Sequence, residues 1–338
     1  MKQVVTTATG GPDVLRLQEV ADPVPDGSQL RIRVRAAGIN FADIMARRGL
    51  YPDAPKLPAV MGYEVSGVVD AAGPDAHEGW IGKEVFALTR FGGCADTVVV
   101  PQNQAFEKPA SLSHAECAAL PVTYITAWQL LVTSGALSAD ETVLIHNAGG
   151  GVGLAAIDIG RHIGARMIGT ASSGKHAFLK ERGLHEAIDY RSTDWLSEVM
   201  RLTDGKGVEL VIDPMGGRHV KKSYRALRRT GRLGMFGISS STESRLPGPL
   251  KLLGMAAGLP LFNPVSLMNS NRGVFGVNLG HMWHEVDKIR LWTDSIVEGV
   301  TEGWVRPHVD AVFPLAEAGQ AQAYVEARKN TGKVILET

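Results

Sequence analysis

The stretch at residues 142–161, TVLIHNAGGGVGLAAIDIGR, constrains the fold more than any other part of this chain. It begins as a short apolar run, continues as a glycine-rich segment at 147–151, and then takes the spacing of an amphipathic helix. This is a strand, a tight turn and a helix in the order that a dinucleotide site requires, because a turn without side chains lets a pyrophosphate reach backbone N–H groups at the helix N-terminus. We therefore predict a dinucleotide-binding unit. The glycines alone form only a relaxed GxGxxG, which is also compatible with a purely structural turn.

The end of the next predicted strand, at 166–171, indicates which dinucleotide is bound. An acidic residue at this place bonds the free 2′-hydroxyl of NAD. Here the chain continues with Ser172, Ser173, Gly174 and Lys175 and has no acidic residue. Hydroxyl groups and a lysine suit a 2′-phosphate, since they donate hydrogen bonds and supply positive charge. The sequence thus favours NADPH over NADH, although Lys175 is also compatible with the solvated first turn of the following helix.

Composition excludes several other classes. Lys+Arg and Asp+Glu are 35 each in 338 residues, so the net charge is zero and a nucleic-acid partner is not indicated. The two cysteines, Cys94 and Cys117, cannot build a disulfide framework or a four-thiolate zinc site. We see neither a signal peptide nor an apolar stretch long enough to span a membrane, and we expect a soluble, cytoplasmic protein. The apolar segment 250–262 can be a lid, part of the core or a lipid-contacting segment.

The chain as a whole predicts an α/β protein with one domain inserted into another. Residues 1–121 alternate short strands with glycine and proline turns, which is typical of an antiparallel, barrel-like domain. Strands and helices alternate over residues 122–279, which predicts a doubly wound parallel sheet, the Rossmann arrangement. We assign the tail at 280–338 back to the first domain. The helix predicted after residue 280 carries His281 and His284 at i, i+3 spacing, and we interpret them as surface residues rather than metal ligands.

Seven segments give the chain a resemblance to a known family. They are AAGINFADIMARRGLYP at 36–52, MGYEVSGVV at 61–69, VTYITAWQLL at 122–131, NAGGGVG at 147–153, GTASSGKH at 169–176, NRGVFGVNLG at 271–280 and ARKNTGKVIL at 327–336. The chain resembles the medium-chain dehydrogenase/reductase superfamily in its zinc-independent quinone oxidoreductase (zeta-crystallin-like) branch, and within it the synaptic-vesicle membrane protein subgroup. The resemblance implies a GroES-like catalytic domain and a Rossmann domain, with NADPH in the cleft between them. It also implies reduction of a quinone or of an alkene conjugated to a carbonyl.

The resemblance further implies that the chain uses no metal. Zinc-dependent members of the superfamily have a cysteine ligand at the position of Asn40 and a histidine ligand at the position of Tyr63. Neither residue found here is a plausible zinc ligand, and Cys117 is the only thiol near the region that supplies the third.

The same resemblance assigns the cofactor contacts and a dimer interface. The expected cofactor contacts, with Ser172 as an alternative to Ser173, are Thr126, Gly150, Gly151, Val152, Ser172, Ser173, Lys175, Tyr190, Phe236, Gly237, Ile238, Asn278, Leu279 and Arg328. The family usually dimerises through an edge strand of the Rossmann sheet, so we expect a homodimer through residues 273–277.

Candidate catalytic residues follow from the chemistry of hydride transfer to an enone, which places negative charge on the carbonyl oxygen. Asn40 is the first candidate donor to that oxygen, because the resemblance places it at the former metal-ligand position, which faces the nicotinamide. It is also compatible with a structural cap. Asp43 is expected to orient neighbouring groups. Tyr51, Tyr63 and Tyr124 are candidate pocket tyrosines, because a phenol donates a hydrogen bond and its ring stacks on a quinone, but each is also compatible with an ordinary core position.

Two rival functions remain open at this point. One is an alcohol or polyol dehydrogenase, against which the missing zinc ligands argue. The other is a non-catalytic NADPH-binding or lipid-associated and vesicle-associated protein of the same fold.

Overall fold

The computed structural model describes residues 1–239 and 260–338, so most of the apolar segment at 250–262 lies outside the described residues. The chain forms two compact units. Unit 1 consists of Met1–Ile125 and Leu279–Thr338, and unit 2 is Thr126–Asn278. No helix in the described ranges combines the length and apolar character needed to cross a bilayer.

The elements are numbered here in chain order. The strands are β1 Lys2–Thr6, β2 Leu15–Glu19, β3 Gln29–Ile39, β4 Ala59–Val60, β5 Glu64–Ala72, β6 Glu84–Leu88, β7 Thr97–Pro101, β8 Ala105–Glu107, β9 Thr142–Ile145, β10 Arg166–Ala171, β11 Glu186–Asp189, β12 Val208–Asp213, β13 Leu227–Met235, β14 Gly273–Gly276, β15 Val309–Pro314 and β16 Lys333–Glu337. The α-helices are α1 Phe41–Arg47, α2 His114–Ala118, α3 Pro121–Trp128, α4 Gly151–Ile163, α5 His176–Arg182, α6 Trp195–Leu202, α7 Arg218–Ala226, α8 Pro264–Ser270, α9 Val286–Thr301 and α10 Ala318–Glu326.

Unit 1 is built on a seven-stranded, mainly antiparallel sheet with the order β15-β16-β3-β5-β6-β8, in which β7 also pairs with β3. Apolar and charged residues alternate along β3, so its two faces differ. Leu30, Ile32 and Val34 share one face of the strand and are buried. On the other face Arg31 and Arg33 bind Asp70 at 2.7 and 2.6 Å. A second, three-stranded sheet has the order β2-β1-β4. The predicted GroES-like, β-rich domain is confirmed.

Unit 2 is a six-stranded parallel sheet with the order β11-β10-β9-β12-β13-β14. Counting strands within the unit, this is the order 3-2-1-4-5-6 of a doubly wound dinucleotide-binding fold. Buried aliphatic residues of β9, β10 and β12 and of the flanking helices form its core. The predicted Rossmann fold is therefore confirmed. Among the described residues, β14 is the last strand of the sheet and forms one of its edges.

Two predicted helices differ from the structure. The residue spacing predicts a helical stretch from residue 113 to about 133, but the structure divides this segment into α2, α3 and a π-helical turn at Gln129–Thr133. The helix predicted to start after Gly280 begins only at Val286, and a 3-10 turn at Leu279–His281 precedes it. His281 and His284 are therefore not neighbours on a helix face, and the prediction that both lie on this helix was wrong.

Candidate functional site

The glycine-rich turn of unit 2 has the geometry that a phosphate group needs. Helix α4 begins after Gly150, and no side chain caps its N-terminus. A Cβ added to Gly150 would lie 2.6 Å from Asn147 Nδ2, and one added to Gly153 would lie 2.5 Å from the carbonyl oxygen of Ala148. Side chains are thus excluded where backbone N–H groups must stay accessible. Helix N-termini of this kind bind anions, so the turn fits a pyrophosphate.

The side chain of Lys175 packs onto this turn. A Cβ added to Gly149 would lie 2.7 Å from Lys175 Cδ, so the lysine stem lies over the glycines. The position brings a cationic side chain beside the phosphate-binding backbone, as a 2′-phosphate contact requires. Ser172 and Ser173 stand at the start of the short 3-10 turn Ser173–Lys175, on the same stretch of chain.

An acidic residue that sequence reasoning overlooked lies beside these serines. Asp189 ends β11, and a hydrogen bond from the backbone N–H of Arg191, together with those from the hydroxyls of Ser192 and Ser173, holds the pKa of its carboxyl below the usual value. The prediction of NADPH considered the end of β10, whereas Asp189 stands at the end of β11, the neighbouring strand. Tyr190, the next residue, is half-exposed with the guanidinium of Arg191 at 5.8 Å from its ring centre.

The remaining cofactor candidates are divided between the units. In unit 2, Thr126 is buried, and the backbone N–H of Phe236 donates to the Asp213 carbonyl oxygen at 3.1 Å, which places 236–238 beside the end of β12. Gly237 and Ile238 pack against the turn at 214–216, and Asn278 is the last residue of the unit. Leu279 and Arg328 belong to unit 1.

In unit 1, Asn40 belongs to a buried polar network. Its Nδ2 donates to Glu64 Oε1 at 2.8 Å, and its Oδ1 accepts from Lys333 Nζ at 3.0 Å. Lys333 Nζ also donates to Glu64 Oε1 at 2.5 Å and to the carbonyl oxygen of Ile39 at 2.7 Å. Glu64 is completely buried, and its other oxygen accepts from the backbone N–H of Val122 at 2.8 Å. The amide of Asn40 is therefore held in one orientation. Its Nδ2 makes a second, long hydrogen bond of 3.5 Å to the carbonyl oxygen of Gly38.

Asp43 holds two backbone segments through its carboxylate. Its carboxylate accepts from the N–H of Asn40 at 2.8 Å and from the N–H of Gly62 at 2.9 Å. The first contact caps α1, and the second ties that helix to the residue preceding Tyr63. Asp43 is fully buried, and burial raises its pKa to about 6 against the opposing effect of these hydrogen bonds.

An aromatic cavity lies next to this network. It has a volume of about 200 Å³ and is lined by Tyr51, Asp53, Tyr63, Arg90, Phe91, Gly280, His281, Trp283 and His284. The ring of Tyr63 stands edge-on to Tyr51, with centroids 6.2 Å apart, and is 5.3 Å from Phe91. His281 Nε2 contacts Asp53 Oδ2 at 2.7 Å at its wall. Ring faces of this kind accept a flat conjugated ligand.

The hydroxyl of Tyr63 is the most unusual group in this cavity. The residue is only 7 % exposed, and its hydroxyl makes no hydrogen bond of standard geometry among the described residues, although the Tyr51 hydroxyl is close enough to interact with it. Burial, reinforced by the carboxylate of Asp43, raises the pKa of Tyr63 far above its usual value, so the phenol keeps its proton. A buried donor without a partner is costly unless a ligand uses it.

Tyr124 has a different environment. It is 2 % exposed, its hydroxyl accepts from the backbone N–H of Arg306 at 3.1 Å, and it does not line the aromatic cavity. The structure thus brings Tyr51 and Tyr63 together and leaves Tyr124 out.

Sequence reasoning missed Glu64, Lys333, Arg90 and Trp283. The signal for Glu64 was present: an acid inside the buried strand EVSGVV is costly without a partner. Lys333 comes from the far end of the chain, and nothing local indicated that it would meet Glu64.

Comparisons with known proteins agree with this architecture. Residues 26–110 match the model of the alcohol dehydrogenase GroES-like domain, and residues 182–336 match a model described as zinc-binding dehydrogenase. The synaptic vesicle membrane protein VAT-1 homolog of Homo sapiens is 38% identical over 99% of this chain and 86% of that protein. The NADPH complex of Escherichia coli quinone oxidoreductase superimposes with a TM-score of 0.89, at 26% identity and full coverage of both chains. The CurK enoyl reductase does so with a TM-score of 0.84, at 25% identity over 99% of this chain and 98% of that one.

The fold, the glycine-rich turn and these matches define a medium-chain dehydrogenase/reductase, and the chain belongs to that family of oxidoreductases. Within the family it belongs to the branch that contains the VAT-1 homologues and the quinone oxidoreductases.

Proposed function

We propose that this protein is an NADPH-dependent, zinc-independent reductase that transfers hydride to a quinone or to the C=C bond of an α,β-unsaturated carbonyl, enoyl thioesters included. The observation that carries the proposal is the buried hydroxyl of Tyr63, which makes no hydrogen bond of standard geometry among the described residues and lies in a cavity with aromatic walls. Conjugated carbonyl compounds suit such a cavity, because the rings contact the flat ligand and the phenol donates to its oxygen.

Unit 2 supplies the cofactor site in this proposal. The uncapped start of α4 and the side chain of Lys175 fit a dinucleotide with an additional phosphate. The NADPH bound to the related Escherichia coli quinone oxidoreductase supports the same cofactor here. Bound NADPH supplies the hydride, and the protein contributes orientation and charge stabilisation.

Unit 1 stabilises the charge that develops on the substrate oxygen. The Tyr63 hydroxyl donates to that oxygen and keeps its proton in the ground state, since its pKa is raised by burial. Asp43 fixes Gly62, the residue before Tyr63, and Glu64 with Lys333 fixes the Asn40 amide as a second candidate donor. In the enone reaction the α-carbon then takes a proton, for which solvent is the proposed source.

The test compares two tyrosines in the same unit. Purified protein is assayed by NADPH oxidation with quinones, enones and enoyl thioesters, and NADH serves as the cofactor control. Removing one donor to a developing oxyanion costs about 10²–10³ in kcat, so we expect a loss of this order in Tyr63→Phe. The folding stability should hold, because the deleted hydroxyl makes no hydrogen bond of standard geometry among the described residues.

The matched control is Tyr124→Phe, whose hydroxyl is used by Arg306 and does not face the cavity. It should lose about 1 kcal/mol of stability and keep its activity. Equal activity of Tyr63→Phe and the wild type would refute the proposed role of Tyr63. Stoichiometric NADPH binding without turnover of any compound would instead favour the non-catalytic, vesicle-associated alternative that the VAT-1 relatives suggest.

A further inference from the structure

Four polar side chains meet in the interior of unit 2. The positions that hold zinc ligands in related dehydrogenases, Asn40 and Tyr63 here, belong to unit 1. His146 follows β9, Asp213 ends β12, and His219 and Ser223 lie one turn apart on α7. His146 is 2 % exposed, Asp213 and Ser223 are completely buried, and only the side chain of His219 reaches solvent, at 23%. The two imidazole nitrogens and the carboxylate oxygen that face one another all lie within 4.8 Å.

We propose that His146, Asp213, His219 and Ser223 form a binding site for a divalent transition-metal ion of the Zn²⁺ type, with two nitrogen and two oxygen donors. Ser223 Oγ lies 2.7 Å from Asp213 Oδ2, 3.2 Å from His146 Nε2 and 3.3 Å from His219 Nδ1. His219 Nδ1 and Asp213 Oδ2 are 2.8 Å apart. A tetrahedral ion with bonds of 2.0–2.2 Å separates its donors by about 3.3–3.6 Å, so each of these four distances would lengthen by less than about 1 Å. The donor atoms of His146, Asp213 and His219 all lie within 4.8 Å of one another.

The surroundings of the donors are those of an oriented metal site. The second nitrogen of His146, Nδ1, contacts Thr170 Oγ1 at 3.0 Å, which leaves Nε2 directed at the cluster. The second oxygen of Asp213, Oδ1, accepts from the N–H of Met215 at 2.6 Å. Trp195 packs edge-on against the His146 ring with centroids 4.6 Å apart. Metal-bound histidines and carboxylates are held by such outer contacts, which fix the ring orientation and the donating atom.

The mixture of donor atoms suits a transition-metal cation. Two imidazole nitrogens converge with one carboxylate oxygen and one hydroxyl oxygen. Imidazole donors suit Zn²⁺ and Co²⁺, whereas Mg²⁺ and Ca²⁺ prefer oxygen donors. Lys222, on the same helix as His219 and Ser223, is paired with Asp194.

The proposal revises the expectation that the chain uses no metal, but it concerns unit 2 and leaves the argument from Asn40 and Tyr63 unchanged. The same four side chains also make a closed hydrogen-bond network without an ion. The two possibilities differ in what the protein binds, so metal binding to the full-length chain tests the proposal directly.

The experiment measures binding of Zn²⁺ to chelator-treated, full-length protein by equilibrium dialysis with elemental analysis, and records visible spectra after loading with Co²⁺. We expect one ion per chain, a tetrahedral Co²⁺ spectrum, and a Tm that rises with Zn²⁺ concentration, because an ion bound only to the folded state stabilises it. His219→Ala should weaken binding beyond the ~10–100-fold expected for Thr170→Val, which removes only an outer contact.

The control is His281→Ala in unit 1. His281 also pairs with a carboxylate, Asp53 at 2.7 Å, but no third ligating group joins that pair among the described residues. Zn²⁺ binding should be unchanged in this variant. His219→Gln, which keeps polarity and approximate volume, replaces His219→Ala if circular dichroism shows the latter unfolded. Absence of stoichiometric binding by the wild type, or equal binding by the folded His219 variant, would overturn the proposal.

Discussion

Lys333→Met gives the sharpest test of the buried network in unit 1. The substitution keeps an unbranched side chain but removes three hydrogen bonds of Lys333 Nζ, to Ile39, Asn40 and Glu64. Glu64 remains completely buried, and among the described residues it keeps the Asn40 amide and the Val122 N–H as donors. Breaking a buried ion pair in this way costs about 3–5 kcal/mol, because the remaining charge is uncompensated.

Hydrogen exchange is the suitable assay, since a chain with two units does not guarantee two-state unfolding. Peptides that cover β3 and β16, which pair directly, should lose about a hundred- to several-thousand-fold of their protection. Peptides of β9 and β12 in unit 2 are the internal reference and should change little.

The double variant Glu64→Gln/Lys333→Met shows whether charge is the cause. It removes the uncompensated carboxylate, so it should be more stable than Lys333→Met alone. A cost below about 1 kcal/mol for Lys333→Met, or no recovery in the double variant, would refute the reasoning.

Three further predictions concern pH, cofactor choice and assembly. Folding raises the pKa of Asp43 from 3.8 to about 6, so the folded state binds this proton more tightly than the unfolded state. The free energy of unfolding should therefore fall by up to about 3 kcal/mol as the pH rises from about 4 to 6. Urea titrations across this range should show the fall in the wild type and not in Asp43→Asn. Lys175→Ala should raise the KM for NADPH about tenfold or more and leave that for NADH nearly unchanged, and equal effects on both would contradict a 2′-phosphate contact. Light scattering at micromolar concentration should give a dimer mass for the wild type. Val274→Asp, which places a charge on edge strand β14, should give a monomer mass. A monomeric wild type would contradict the predicted interface.

Local patterns were sufficient for the fold because each signal lies within one element. The apolar run at 142–145 and the glycines that follow predict β9 and the start of α4, since strand period, turn chemistry and helix spacing agree there. The alternation of β3 likewise predicts a sheet with one solvated face. The start of α9 was misplaced because residues 279–285 have no capping signal and form a 3-10 turn and a loop instead.

The sites were less accessible to sequence reasoning, because they depend on contacts between distant residues. Asn40 and Tyr63 became candidates through their family positions, whereas no pattern indicated Lys333, which reaches Glu64 across 269 residues. The cluster of His146, Asp213 and His219 was missed for the same reason: each residue looks unremarkable in its own segment, and the parallel sheet brings the ends of β9 and β12 together. Non-local pairing of this kind leaves no periodic pattern in the sequence.

The division of unit 1 into two stretches of chain sets the order in which the molecule can be completed during synthesis. All of unit 2 emerges from the ribosome before residues 279–338, so its parallel sheet can form while unit 1 still lacks β15 and β16. Until β16 is synthesised, residues 36–39 of β3 lack the partner strand on one side, and Glu64 is without its lysine. While unit 2 is being translated, the nascent chain therefore exposes an unpaired strand edge and a carboxylate without its counter-charge. Its dependence on chaperones should be greatest during that interval.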